Sequence, residues 1–226
     1  MTNCTATPQP ANPSANVSRR GLFGLAGATA ALAATPGSAR GFGSGFTHSV
    51  ASGEPQATSV LLWTRYVADA ETKLEWQVSA TDDFAKPVSE GSVMARPGRD
   101  WCVKTIASGL APNRWYFFRF IAPDGTKSPV GRTRTLPQGP TQNFRMAVFS
   151  CANYGFGYFN AYAHAVEAND VDLAVHLGDY IYEYAIGTYP NDKQAQAGRV
   201  IAPSSEIVAL AEYRLRYATY RSDPDL

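Results

Sequence analysis

Hydrophobic and polar positions follow two different periods along this chain. From Phe46 to about Leu136 they alternate in short runs. Leu74, Trp76 and Val78 are interleaved with Glu75, Gln77 and Ser79, the period-two signature of a half-buried strand. The runs SVLLWTRY (59–66) and WYFFRFI (115–121) are rich in β-branched and aromatic residues. Turn formers flank them: Gln56-Ala57, Pro112-Asn113 and Pro123-Asp124-Gly125. With residues 103–107 and 130–135 the region holds six or seven strands. Trp63, Trp76 and Trp115 read as core, with a carbohydrate-stacking platform as the functional alternative.

Strand spacing of this kind predicts an all-β immunoglobulin- or fibronectin III-like sandwich over residues 46–136. Residues 137–142 (PQGPTQ) are a linker by composition. Beyond it the pattern changes. FRMAVFSC (144–151) reads as a strand ending in a small residue and Cys151. Residues 158–169 carry Phe159, Tyr162, Ala163 and Val166 at i, i+3, i+4 and i+7, an amphipathic helix. VDLAVHLGDYIYEY (171–184) opens as an apolar strand suited to burial on both faces and turns at Gly178-Asp179. A strand–helix–strand unit with the usual right-handed crossover makes the strands parallel, so Cys151 and Asp179 fall on one rim. A carboxylate there with a phenol three residues on is a plausible metal site, although Asp179 capping the next segment reads as well on its own. Tyr180 and Tyr184 read as packing or substrate-facing aromatics, Glu183 as a hydrogen-bond partner and Asn153 as a loop residue. Residues 185–203 read as a long loop, and Ser204 or Ser205 as the cap of a helix running to about Tyr220.

FRMAVFSCANY followed by GYFNAYAHAVEANDVDLAVHLGDYIYEY resembles the start of the catalytic domain of the alkaline phosphatase D family, within the calcineurin-like metallophosphoesterases. FTHSVASGEPQATSVLLWTR is similar to the opening of that family's N-terminal β-domain, and AEYRLRYATYRSDPDL to the helix after its metal strand. The resemblance implies an α/β metallophosphoesterase domain beginning at residue 143. It further implies a phosphate mono- or diester substrate and hydrolysis by metal-activated hydroxide. Carried over by motif, Cys151, Asp179 and Tyr182 correspond to ligands of ferric iron, with Asp179 also reaching calcium. Thiolate and phenolate suit ferric iron, and a carboxylate can bridge it to an oxygen-preferring cation. The family's later asparagine, aspartate and histidine ligands and its basic phosphate-holding group have no counterpart here. The expectation is an incomplete catalytic domain and an inactive chain.

Composition narrows the alternatives. With Lys+Arg 20 against Asp+Glu 19, net charge is +1, which gives no basic stripe for nucleic acid. No uninterrupted run of apolar residues is long enough for a membrane span. Three cysteines (Cys4, Cys102 and Cys151) form no disulfide framework; a Cys102–Cys151 bridge is weighed against metal ligation of Cys151. Ser18-Arg19-Arg20-Gly21-Leu22-Phe23, a modest apolar stretch and Pro36-Gly37-Ser38-Ala39 mark residues 1–39 as a twin-arginine signal. The export machinery then becomes a partner, and the mature chain periplasmic or secreted. His48 reads as structural and His164 as solvent-facing. Against the phosphoesterase reading stand a non-catalytic extracytoplasmic binding protein built on the sandwich and thiol chemistry at Cys151. The thiol reading is disfavoured because no histidine sits in sequence as an evident base.

Overall fold

The structure, a computed structural model, describes residues 43–226; the predicted signal at 1–39 lies outside the described residues. Seven antiparallel strands come first: β1 Gly45–Gly53, β2 Ser59–Val67, β3 Thr72–Ser79, β4 Pro87–Ala95, β5 Cys102–Ser108, β6 Trp115–Ile121 and β7 Gly131–Arg134. They form two sheets, ordered β1-β2-β5 and β4-β3-β6-β7. Alternation along β6 turns Tyr116, Phe118 and Phe120 inward, where they meet Val60 and Leu62 of β2, Leu74, Trp76 and Val78 of β3, and Val103 of β5. Both sheets contribute to this one buried cluster. Packing is tight enough that a Cβ on Gly131 would lie 2.3 Å from the Phe118 ring. Arg65, also buried, is neutralised by Asp100 at 3.0 Å and held by Thr47 at 2.9 Å. Trp115 departs from the core expectation. It is half-buried, and the guanidiniums of Arg132 and Arg134 lie 4.2 and 5.4 Å from its ring centroid.

Residues from 146 build the second region: β8 Met146–Phe149, α1 Asn160–Glu167, β9 Leu173–His176 and α2 Leu210–Arg221. β8 and β9 are parallel, paired from Met146↔Leu173 to Phe149↔His176. The ring of Tyr162 on α1 stacks on Phe149 at 4.4 Å. Ala152, Phe159 and Tyr220 form a small core with Tyr154, Tyr162 and Ile181 around it. Burial on both faces, expected for β9, is not found: Leu177 is 72% exposed, and Met146 and Val148 on β8 are 52% and 54% exposed. Two strands and one short helix cover a single face, so the other meets solvent. Val166, predicted to lie on the packed stripe of α1, is 75% exposed.

The last helix also starts later than its sequence suggests. Ser204 and Ser205 serve as carbonyl acceptors in the preceding turn, for Ile186 N–H and Arg216 respectively. The helix opens instead at Leu210, where the Glu212 carboxylate accepts from the backbone N–H of Val208 (2.9 Å) and Ala209 (2.8 Å). Arg134 pairs with Asp172 and Arg132 with Asn169, while Trp63 meets Tyr217 edge-on at 6.5 Å. These contacts dock the second region on the sandwich. Among the described residues, no helix is long and apolar enough to cross a membrane.

Candidate metal centre

The two parallel strands end side by side, and the chain crosses between their ends by hydrogen bonds. Cys151 N–H donates to Gly178 O (3.2 Å) and Ala152 N–H to Asp179 O (2.9 Å). Gly178 takes φ +136°, a conformation open in practice to glycine alone. Cys151 and Asp179 both sit in the left-handed region, at φ 59° and 54°. Non-glycine residues held there mark places where the surroundings over-determine the backbone, and such places cluster at functional sites.

The result is a convergence on one atom. Asp179 Oδ2 accepts from Cys151 Sγ at 3.5 Å and from Tyr182 OH at 3.4 Å. A sulfur, a carboxylate and a phenol therefore come together on an exposed rim, a donor set of the kind that can hold a metal ion. Burial, then the Cys151 hydrogen bond and the Asp179 charge, push the Tyr182 phenol well above its ordinary range. It stays protonated at neutral pH unless a strong cation reverses the local field. Among the described residues, no group of three or more His, Cys, Asp or Glu is arranged as a cation site. Cys102 and Cys151 are both free; burial pushes the Cys102 thiol up to about 11, while Cys151 is exposed.

Several neighbours fix this geometry. His176 Nδ1 accepts from Gly178 N–H (3.3 Å), and its Nε2 lies 3.2 Å from Tyr162 OH. Its ring also meets Tyr180 edge-on at 5.1 Å, so Tyr180 packs, as read from the sequence. Tyr184 stacks on Tyr182 at 6.4 Å. Glu183 is occupied as the acceptor of Tyr213 OH at 2.6 Å. Asn153 is buried, its Oδ1 accepting from Gly155 N–H at 3.0 Å. His48 is buried in β1 and His164 exposed on α1, in keeping with their sequence reading.

Arg216 is the residue that sequence reasoning missed. It is 0% exposed, and all its hydrogen bonds go to backbone carbonyls: Ala202, Tyr182, Tyr184, Pro203 and Ser205. One guanidinium thereby ties the loop after β9 to α2 and to the end of the long loop. The only hint in sequence is its place between Tyr213 and Tyr220 on the helix.

A sequence profile described as PhoD-like phosphatase, N-terminal domain, matches residues 30–137, and one described as PhoD-like phosphatase matches residues 146–226. The chain belongs to the PhoD-like phosphatase family. It is 41% identical over 194 residues to alkaline phosphatase D of Bacillus subtilis (strain 168), covering 80% of this chain and 32% of that protein. A solved structure titled as that of PhoD superposes with a TM-score of 0.71 at 38% identity, covering 80% of this chain and 36% of that one. The chain thus spans about a third of the length of the relatives it matches.

Proposed function

We propose that the chain supplies the N-terminal part of an exported metal-dependent phosphoesterase acting on phosphate mono- or diesters. In this reading residues 46–136 are a fibronectin III-like sandwich, 137–142 a linker, and 143–226 the opening of the metallophosphoesterase domain. Cys151, Asp179 and Tyr182 would hold ferric iron, with calcium as the second cation implied by the family. When bound, these cations lower the pKa of coordinated water and neutralise charge on the phosphoryl group. The protein's own part is positional. Asp179 would offer the shared oxygen, Cys151 and Tyr182 would bind as thiolate and phenolate with their protons released to water, and the Arg216 clasp holds the Tyr182 backbone. The observation that carries this is the approach of Cys151 Sγ and Tyr182 OH to the same Asp179 oxygen, at 3.5 and 3.4 Å.

Iron loading of the 226-residue chain tests it. Bound iron should come with a visible phenolate charge-transfer band, lost in Tyr182→Phe, and Asp179→Ala should lose the metal. Iron that binds equally to all variants, or ligand binding that survives Cys151→Ala and Asp179→Ala, would favour a sandwich-based binding protein instead. Three protein donors make only part of a two-cation site, so these 226 residues alone should not turn over a chromogenic phosphodiester; robust turnover overturns that part. Export rests on Arg19-Arg20, so a paired change to lysine should retain the precursor in the cytoplasm.

A further inference from the structure

Tyr182 faces two features. Besides the Cys151–Asp179 rim it lines a chamber of about 220 Å³ formed with the long loop and α2. Apolar and aromatic walls come from Tyr184, Ile186, Tyr189 and Pro190. Two arginines, Arg199 and Arg216, complete the lining, and none of the lining residues is Asp, Glu or Lys. Arg199 is pinned by Asp223 and lies 3.6 Å from the Tyr154 ring centroid. Arg216 has carbonyl partners, and among the described residues no carboxylate pairs with it. Two buried donors among the lining residues, Arg199 Nη2 and Asn153 Nδ2, find no acceptor among the described residues. Buried donors without acceptors are costly and rare, and a ligand oxyanion is one way to satisfy them.

Size and chemistry together select a ligand class. An apolar cavity of about 150 Å³ holds a benzene ring, so this chamber accommodates one ring or a short branched chain with its linking oxygen. We propose that the chamber is the subsite for the organic arm of the phosphate ester, selecting an apolar, ring-sized substituent whose phosphoryl end lies toward Tyr182. This rests on the phosphoesterase reading of the rim, but the pocket's walls do not depend on metal.

Calorimetric titration of the 226-residue chain with diphenyl phosphate and dimethyl phosphate, before and after iron loading, separates the two ideas. Diphenyl phosphate should bind at least about tenfold more tightly in both states. Ile186→Asp should weaken it about fivefold or more, as should Ala197→Phe, which fills the chamber without adding charge; Val208→Asp, on an exposed residue outside the lining, should not. Equal affinity for the two diesters, or equal losses in all three variants, overturns the subsite. Ring selectivity that persists in a chain unable to bind iron supports the chamber and removes the metal reading. Iron binding without ring selectivity removes the chamber alone.

Discussion

The sandwich and the region after residue 142 hold themselves together by different means. In the sandwich two sheets close on one apolar cluster, and Leu62, Leu74, Val78 and Phe120 have no measurable exposure. In the second region the sheet has two strands, one of its faces is solvated, and the buried apolar cluster contains three residues. Its order comes from polar clasps: Arg216 on five carbonyls, Arg199 on Asp223 and Tyr154, and the cross-strand bonds at Gly178 and Asp179. Hydrophobic burial is non-directional and tolerates small shifts, whereas clasps made of hydrogen bonds fix positions. The apolar half is held by burial and the clasped half by directional bonds that fix where its side chains lie.

That contrast can be broken most severely at Arg216. Arg216→Met removes the donor from five carbonyls, at about 0.5–1.5 kcal/mol for each hydrogen bond. Residues 143–226 should lose their protection against proteolysis while the sandwich keeps its unfolding transition; a uniform loss across both would contradict the division. Leu62→Ala, by contrast, should cost the sandwich about 2–5 kcal/mol in denaturant unfolding, as expected for a fully buried leucine. In the unmodified chain, limited proteolysis should remove the second region first, and equal resistance would count against the comparison. A smaller effect is expected from pH. Burial, aided by the nearby charges of Arg65 and Arg221, holds buried His48 below its ordinary 6.5. The unfolded chain then binds the extra proton first, so stability is complete above about 6.5 and falls as the pH drops below it, by at most about 1.4 kcal/mol per pH unit. Melting curves from pH 7.5 to 5 should show this slope in the sandwich transition and lose it in His48→Gln. Smallest of all, Val148→Thr on the open face of β8 should change stability by less than about 0.5 kcal/mol.

How much of this was legible in the chain varied with the physics behind each element. β3 and β6 announce themselves because alternating apolar residues face a closed core. β4 does not: Pro87–Ala95 places Gly91 opposite Trp76, where a Cβ would lie 2.6 Å from the indole, so the position is selected for smallness and shows no apolar signal. The meeting of Cys151 with Asp179 followed from strand–helix–strand topology, which fixes where strand ends lie whatever surrounds them. Arg216 was hidden because a charged residue on a helix normally reads as solvated, and only coordinates reveal its carbonyl partners. The start of α2 was misplaced for a related reason: its N-terminus is satisfied by Glu212 reaching backward, while Ser204 and Ser205 contribute only carbonyl oxygens.

The central claim is that thiol, carboxylate and phenol from one rim bind the same cation. X-ray absorption at the iron edge of the loaded 226-residue chain addresses it directly. A sulfur bonded to iron, absent in Cys151→Ser, is the expected result; iron surrounded only by oxygen and nitrogen in both proteins would contradict the account.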